Sequence, residues 1–246
     1  HVSSNGVADG LAANSDDIFV VVEPGDSAEY SFSIPDYHMG GTHWYHPHMH
    51  HATALQAGGG AAGMLIVEDP EGYLPAPYSE MTEKLFFLSC HNLVTLQDMS
   101  QKAQSTLLED IADTAQANGI DTNLFLVNGQ IGPHHSLQKG QWYRFRMVFA
   151  AVEQRIELEF QPTDTAEGGA CEMQLMAKDG VYLNTIPRAI DSIPLFPGAR
   201  SDVAISCTCI TYPCSVSWGT IGTRRRGLQP GGGGPGGPGG PGGPGG

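Results

Sequence analysis

Between Gly40 and Asp69 the chain reads GGTHWYHPHMHHATALQAGGGAAGMLIVED, and six of its ten histidines fall between His38 and His51. At the centre of this stretch His46-Pro47-His48 follows Trp44-Tyr45 and precedes a glycine-rich turn and an apolar run from Met64 to Val67. In an extended segment residues two apart share a face, so His46 and His48 are expected to present both imidazoles to one site. Pro47 fixes φ and removes a backbone donor, which stiffens the pair and suits a ladder edge. Imidazole suits copper, zinc, iron and nickel, and copper(II) binds tightest of the divalent series. The stretch therefore predicts a metal-binding loop that carries an extended His46–His48 pair, followed by a strand.

The rest of the chain favours β structure. Ile18 to Val22 reads as a buried strand, Glu23 to Asp26 as a turn, and Ser27 to Ile34 as an alternating strand. Prolines 70, 75 and 77 mark residues 70–84 as a connection. Beyond it Leu85 to Leu88 and Leu124 to Val127 read as strands, the latter running into an Asn128-Gly129 turn. Trp142 to Phe149 places Tyr143, Phe145, Met147 and Phe149 on one face. Arg155 to Phe160 alternates, with Ile156, Leu158 and Phe160 inward and Arg155, Glu157 and Glu159 outward. Further strands fit Met173 to Ala177 and Asp202 to Ser206. A single amphipathic helix is expected from Leu96 to Ala115, closed by Asn118-Gly119. His134-His135 reads as a solvated turn, and residues 223–246, a glycine and proline repeat, as a disordered tail.

Charge and cysteine content narrow the function classes. With 26 Asp and Glu against 12 Lys and Arg, the chain does not suit a nucleic-acid partner. No apolar run approaches the roughly 18–20 residues that span a bilayer. The chain opens at His1-Val2-Ser3 without an initiator Met or targeting segment, and we read it as a piece of a longer protein. Of the five cysteines, Cys207, Cys209 and Cys214 lack the Cys-x-x-Cys spacing of a zinc site. A Cys207–Cys214 disulfide and buried free thiols both remain open. Cys90 reads as a strand-end residue.

Trp44, Tyr45, His46, His48, Gln56, Gly60, Gly63, Ile66, Val67 and Glu68 together resemble the second copper-binding motif of the multicopper oxidases, the laccase-like enzymes. Weaker likenesses to the middle domain of that family lie in Val127-Asn128-Gly129-Gln130, Tyr143 to Arg146, Asp179-Gly180 and Pro197 to Val203. The resemblance implies an all-β fold of two cupredoxin-like Greek-key β-sandwich domains. The first is truncated at its N-terminus, and a short helix is inserted in the second. The expected boundaries are 1–70 for the later part of the first domain, 71–84 for the linker, 85–222 for the second domain and 223–246 for the tail.

What the resemblance implies for function is a copper-dependent oxidase. Such an enzyme couples one-electron oxidation of a phenol, aromatic amine, bilin or metal ion to four-electron reduction of O2 to water. On the matching positions His46 and His48 would each ligate one copper of the type 3 pair in a trinuclear cluster. The type 1 copper and a third cupredoxin domain lie outside this chain. Cys90-His91 does not supply that site, because Thr95 and Ser100 stand where the family has its His and Met. A secreted or periplasmic location is implied as well. His43, His50 and His51 are expected to be hydrogen-bonded loop residues, His38 a turn residue, and Trp44 and Tyr45 packing residues beside the site. Pro47 stands where copper nitrite reductases carry a cysteine, and the cupin pattern fails for want of a glutamate after His51. A relative that has lost copper and serves as a binding or structural protein is the competing reading.

Overall fold

The computed structural model describes residues 21–30, 34–103, 123–133, 135–152, 155–162, 170–208 and 216–220, with positions 110, 113 and 117 alone between the longer segments. Its elements are mainly strands, as the alternating patterns predict. β1 (Gly41–Tyr45) and β2 (Gly63–Val67) form an antiparallel pair in the register Gly41 to Val67 and Tyr45 to Gly63. The seventeen residues between them hold the histidine loop and a short helix, α1 (Thr53–Gly58).

The main sheet follows. It is built from β3 (Thr82–Asn92), β4 (Asn123–Val127), β5 (Trp142–Ala150), β7 (Ala170–Lys178), β8 (Val181–Tyr182), β9 (Arg188–Ile190) and β11 (Arg200–Thr208), in the order β4-β3-β5-β11-β7, with β8 and β9 both pairing β7. β3 and β5 run parallel, and the other pairings are antiparallel. A second sheet, β10-β6-β12, joins Ile193–Leu195, Ile156–Pro162 and Val216–Thr220. Phe145, Met147, Phe149, Val203 and Ile205 of the large sheet pack with Ile156, Leu158, Ile193 and Leu195 of the small one into one buried core. The two sheets make a β-sandwich, the layered solution for apolar sheet faces.

The opposite face of the large sheet is covered too. Leu74, from the proline-marked connection, packs with Met176 and Ala204, flanked by Tyr78, Met81 and Tyr182. Met176 is the extra residue of a bulge, since Asp202 pairs Ala177 while Val203 pairs Leu175. Covering on both faces leaves every residue of β5 after Trp142 buried, Arg144 and Arg146 included.

Several expectations need correction. Val21 to Tyr30 and Ile34 are in no strand, and Val21, Val22, Tyr30 and Ile34 are exposed. Alternation alone does not make a strand: the ladder needs a partner, and none lies beside them among the described residues. The expected first sandwich is represented there by the β1–β2 pair. The helix starts earlier than predicted, as α2 (Leu93–Ala103), because the Asn92 side chain accepts the Thr95 backbone N–H at 3.0 Å and caps it. Most of its predicted second half and its Asn118-Gly119 stop lie outside the described residues, as do Ile18 to Val20, His134 and the tail. Cys207 is bonded to Cys171, not Cys214; the two face each other directly in the β7–β11 register. His135 is half-buried against the Phe86 ring at 4.9 Å, and burial lowers its pKa. Lys84 adds to that shift. The strand predictions of the second region hold, including the inward Ile156, Leu158 and Phe160.

Candidate functional site

β1 ends at Tyr45, so His46 and His48 stand on the first residues of the loop, in irregular backbone beyond the strand. Their ring centroids are 6.2 Å apart, His46 half-buried and His48 exposed. The Trp44 ring lies 4.3 Å from that of His46, which limits the positions His46 can take. His46 Nδ1 is 2.9 Å from the Pro47 carbonyl. A carbonyl only accepts, so Nδ1 carries the proton and Nε2 is left as the nitrogen able to bind a metal. His48 and His50 sit edge to face at 5.9 Å, and His51 holds φ +66 at the turn into α1. The Tyr45 ring lies over Gly63, where any Cβ would clash with it.

Two imidazoles of this kind suit copper in donor chemistry. They are not a complete ligand set: among the described residues no three His, Cys, Asp or Glu side chains gather into a group that would hold a metal. Gln56, on α1, is exposed.

His43 departs from its expected place. It lies within β1, 8% exposed, with neither ring nitrogen hydrogen-bonded to another protein group. Gly41 and Gly180 make room for it: a Cβ on Gly180 would stand 2.9 Å from His43 Cε1. Burial, followed by neighbouring positive charge that includes Arg200 and Arg146, brings its pKa down to about 4. His38 keeps its turn role through its N–H to the Pro35 carbonyl and its Nδ1 to the Met39 carbonyl.

A buried polar network ties the β1–β2 pair to the large sheet. Arg144 donates to Asp202 Oδ2 from Nη2 at 2.5 Å and from Nε at 3.2 Å, and to Asp69 Oδ2 from Nη1 at 2.6 Å. Tyr182 donates to Asp69 Oδ1 at 2.6 Å. Arg146 Nε donates to Thr42 Oγ1, which in turn donates to Asp202 Oδ1 at 2.5 Å. Glu83 lies 3.2 Å from Arg146 Nη1. Burial opposes the Arg144 charge, and Asp202 and Asp69 more than reverse that, holding its pKa above the usual range. Burial first, and then the hydrogen bond to Asp69, push the Tyr182 phenol up as well. Thr42 and Asp69 therefore anchor both strands that carry the histidine loop. A second anchor lies at the loop's far end, where His91 Nδ1 donates to the Gly58 carbonyl at 2.6 Å.

A family model described as multicopper oxidase matches residues 1–72, which contain the His46-Pro47-His48 loop and both strands that carry it. Residues 1–72 thus carry multicopper oxidase sequence. Likeness to known proteins extends past that match. Bilirubin oxidase of Albifimbria verrucaria is 29% identical over 150 residues, 60% of this chain and 24% of that protein. Cell division protein FtsP of Proteus mirabilis is 31% identical over 186 residues, 75% of this chain and 35% of that protein. The crystal structure of a multicopper oxidase from Pediococcus acidilactici superposes with a TM-score of 0.55 at 18% identity, over 81% of this chain and 38% of that one, which shows the fold. The chain thus spans between a quarter and about a third of the length of these curated relatives.

Proposed function

We propose that this chain is a copper-binding part of a multicopper oxidase in which His46 and His48 each ligate one metal of a type 3 pair. The observation that carries the reading is the His46–His48 pair itself: two imidazoles 6.2 Å apart just beyond β1, with His46 Nε2 left for a metal by the Nδ1 hydrogen bond to Pro47. Copper, when bound, supplies the one-electron chemistry by which a reducing substrate such as a phenol, aromatic amine, bilin or metal ion is oxidised and O2 is reduced to water. The chain's own residues hold and orient. Pro47 stiffens the pair, Trp44 backs His46, and Thr42 and Asp69 fix the flanking strands to the sheet. In this reading the remaining ligands are shared between the first and a third cupredoxin domain, and the type 1 site belongs to the third.

The Cys171–Cys207 disulfide supports a secreted or periplasmic location, because such bonds persist in oxidising compartments. No helix among the described residues is long and apolar enough to cross a membrane.

A second reading has its own support in the likeness to FtsP, a cell division protein: a multicopper-oxidase fold with a binding or structural role. Oxygen uptake with a phenolic donor separates the two when it is measured on the copper-loaded chain and on the copper-loaded full-length protein. The first reading expects uptake by the full-length protein that is lost with His46→Ala and His48→Ala, and none by this chain alone. Copper-independent behaviour of the full-length protein favours the second.

A further inference from the structure

The loop from Ala57 to Ala62 does not close completely on the large sheet. Between it and β3 and β4 lies an open cavity of about 240 Å3, walled by Phe87, Leu124, Leu126 and Ala62, with Ser89 and His91 at its polar point. The Gly58 carbonyl can only accept, so His91 Nδ1 carries the hydrogen between them. In its neutral form the ring then presents Nε2 as an acceptor, 3.1 Å from Ser89 Oγ, and the serine hydroxyl donates to it. With its proton committed, Ser89 Oγ offers lone pairs. Ser89 Oγ is thus an acceptor towards the cavity, and the loop holds it in that state.

We propose that this cavity binds an uncharged, single-ring molecule carrying one hydroxyl or amine donor. Size points to one ring, since an apolar cavity of about 150 Å3 admits benzene and drug-sized ligands take about 300 Å3 or more. Charge is disfavoured by the walls: among the described residues no Asp, Glu, Lys or Arg lines the cavity, and an ion there would lose part of its hydration without a partner. The ring packs on Phe87 and the leucines, and its donor bonds to Ser89 Oγ. This site does not involve His46 or His48 and calls for no metal.

The test uses the full 246-residue chain in the presence of a chelator, with phenol as the donor-bearing probe and anisole as its donor-free counterpart. Phenol is expected to bind about three- to tenfold more tightly than anisole, the worth of one hydrogen bond. Ser89→Ala is expected to remove that preference while leaving anisole binding as it was, and Ala62→Leu to weaken both by filling the space. The chain with both His46→Ala and His48→Ala is expected to bind phenol like the original. On the unsubstituted chain, phenol is expected to shift the NMR signals of the His91 ring, a readout independent of how any variant folds. Absence of saturable phenol binding, equal affinity for the two probes, a preference that survives Ser89→Ala, or an unmoved His91 signal would each overturn the proposal.

Discussion

Arg144 and Asp202 form an ion pair with both side chains almost wholly buried, 2% and 1% exposed, between β5 and β11. They are not direct register partners: Asp202 pairs across the ladder with Arg146, and Arg144 reaches it diagonally. One carboxylate thereby serves two guanidinium groups and the Thr42 hydroxyl of the histidine hairpin.

Removing that carboxylate leaves two buried cations short of a partner. Asp202→Asn is therefore expected to destabilise the chain by about 3–5 kcal/mol, the usual result of breaking one side of a buried pair. Urea unfolding with an unchanged denaturant slope is the measurement. A loss below about 1 kcal/mol would mean that water reaches the network and screens it.

His43 makes a separate prediction about pH. In the unfolded chain an imidazole gains its proton near its ordinary value of 6.5, whereas the folded chain holds His43 neutral down to about 4. Between those values the unfolded state binds more protons, so stability is full above pH 6.5 and falls as the pH drops towards 4. At about 1.4 kcal/mol per pH unit the loss reaches up to about 3 kcal/mol. His43→Leu should flatten this part of the stability profile, and an unchanged slope in the variant would sink the assignment.

The Asn128-Gly129 turn was legible in the sequence, and its side chain does more than turn the chain. Asn128 sits at φ +50, accepts the Phe87 N–H at 2.8 Å and donates to the Leu85 carbonyl at 3.0 Å. Asn128→Ala loses both bonds and puts a residue less tolerant of positive φ in its place. A destabilisation of about 1–3 kcal/mol is expected by thermal or urea unfolding. Asn128→Gly should recover part of it.

How far the sequence could be read depended on whether a residue's surroundings lie nearby in the chain. Ile156, Leu158 and Phe160 announce their face by alternation, and the histidine loop announces itself by composition. Arg144 and Arg146 alternate just as clearly with Phe145, but period two cannot say that their face is covered by a hairpin some hundred positions upstream in contact terms, with Arg146 bonded to Thr42 across 104 residues. A useful signal was present all the same: two arginines on one strand face and a complementary Asp202 on another strand. His43 was read with its neighbours as a loop residue because composition marks the loop without marking where β1 stops. Cys171 and Cys207 are joined by ladder register, which no spacing rule supplies. The Ser89–His91–Gly58 chain gave no motif at all.

His51 carries a local strain. At φ +66 it occupies a region that glycine enters freely. His51→Gly is expected to raise stability by up to about 1 kcal/mol, read as a higher melting temperature. A lower one would mean that the histidine side chain makes contacts worth more than the strain.

Copper(II) titration followed by electron paramagnetic resonance tests the proposal that His46 and His48 ligate copper. The measurement is made on the 246-residue chain, on His46→Ala and His48→Ala, and on His50→Ala with His51→Ala as the comparison. Nitrogen hyperfine structure from imidazole is expected in the unsubstituted chain. A loss of affinity of about tenfold or more is expected with either of the first two substitutions, and little change in the comparison variant. Unchanged affinity and spectrum with both His46 and His48 replaced would contradict it.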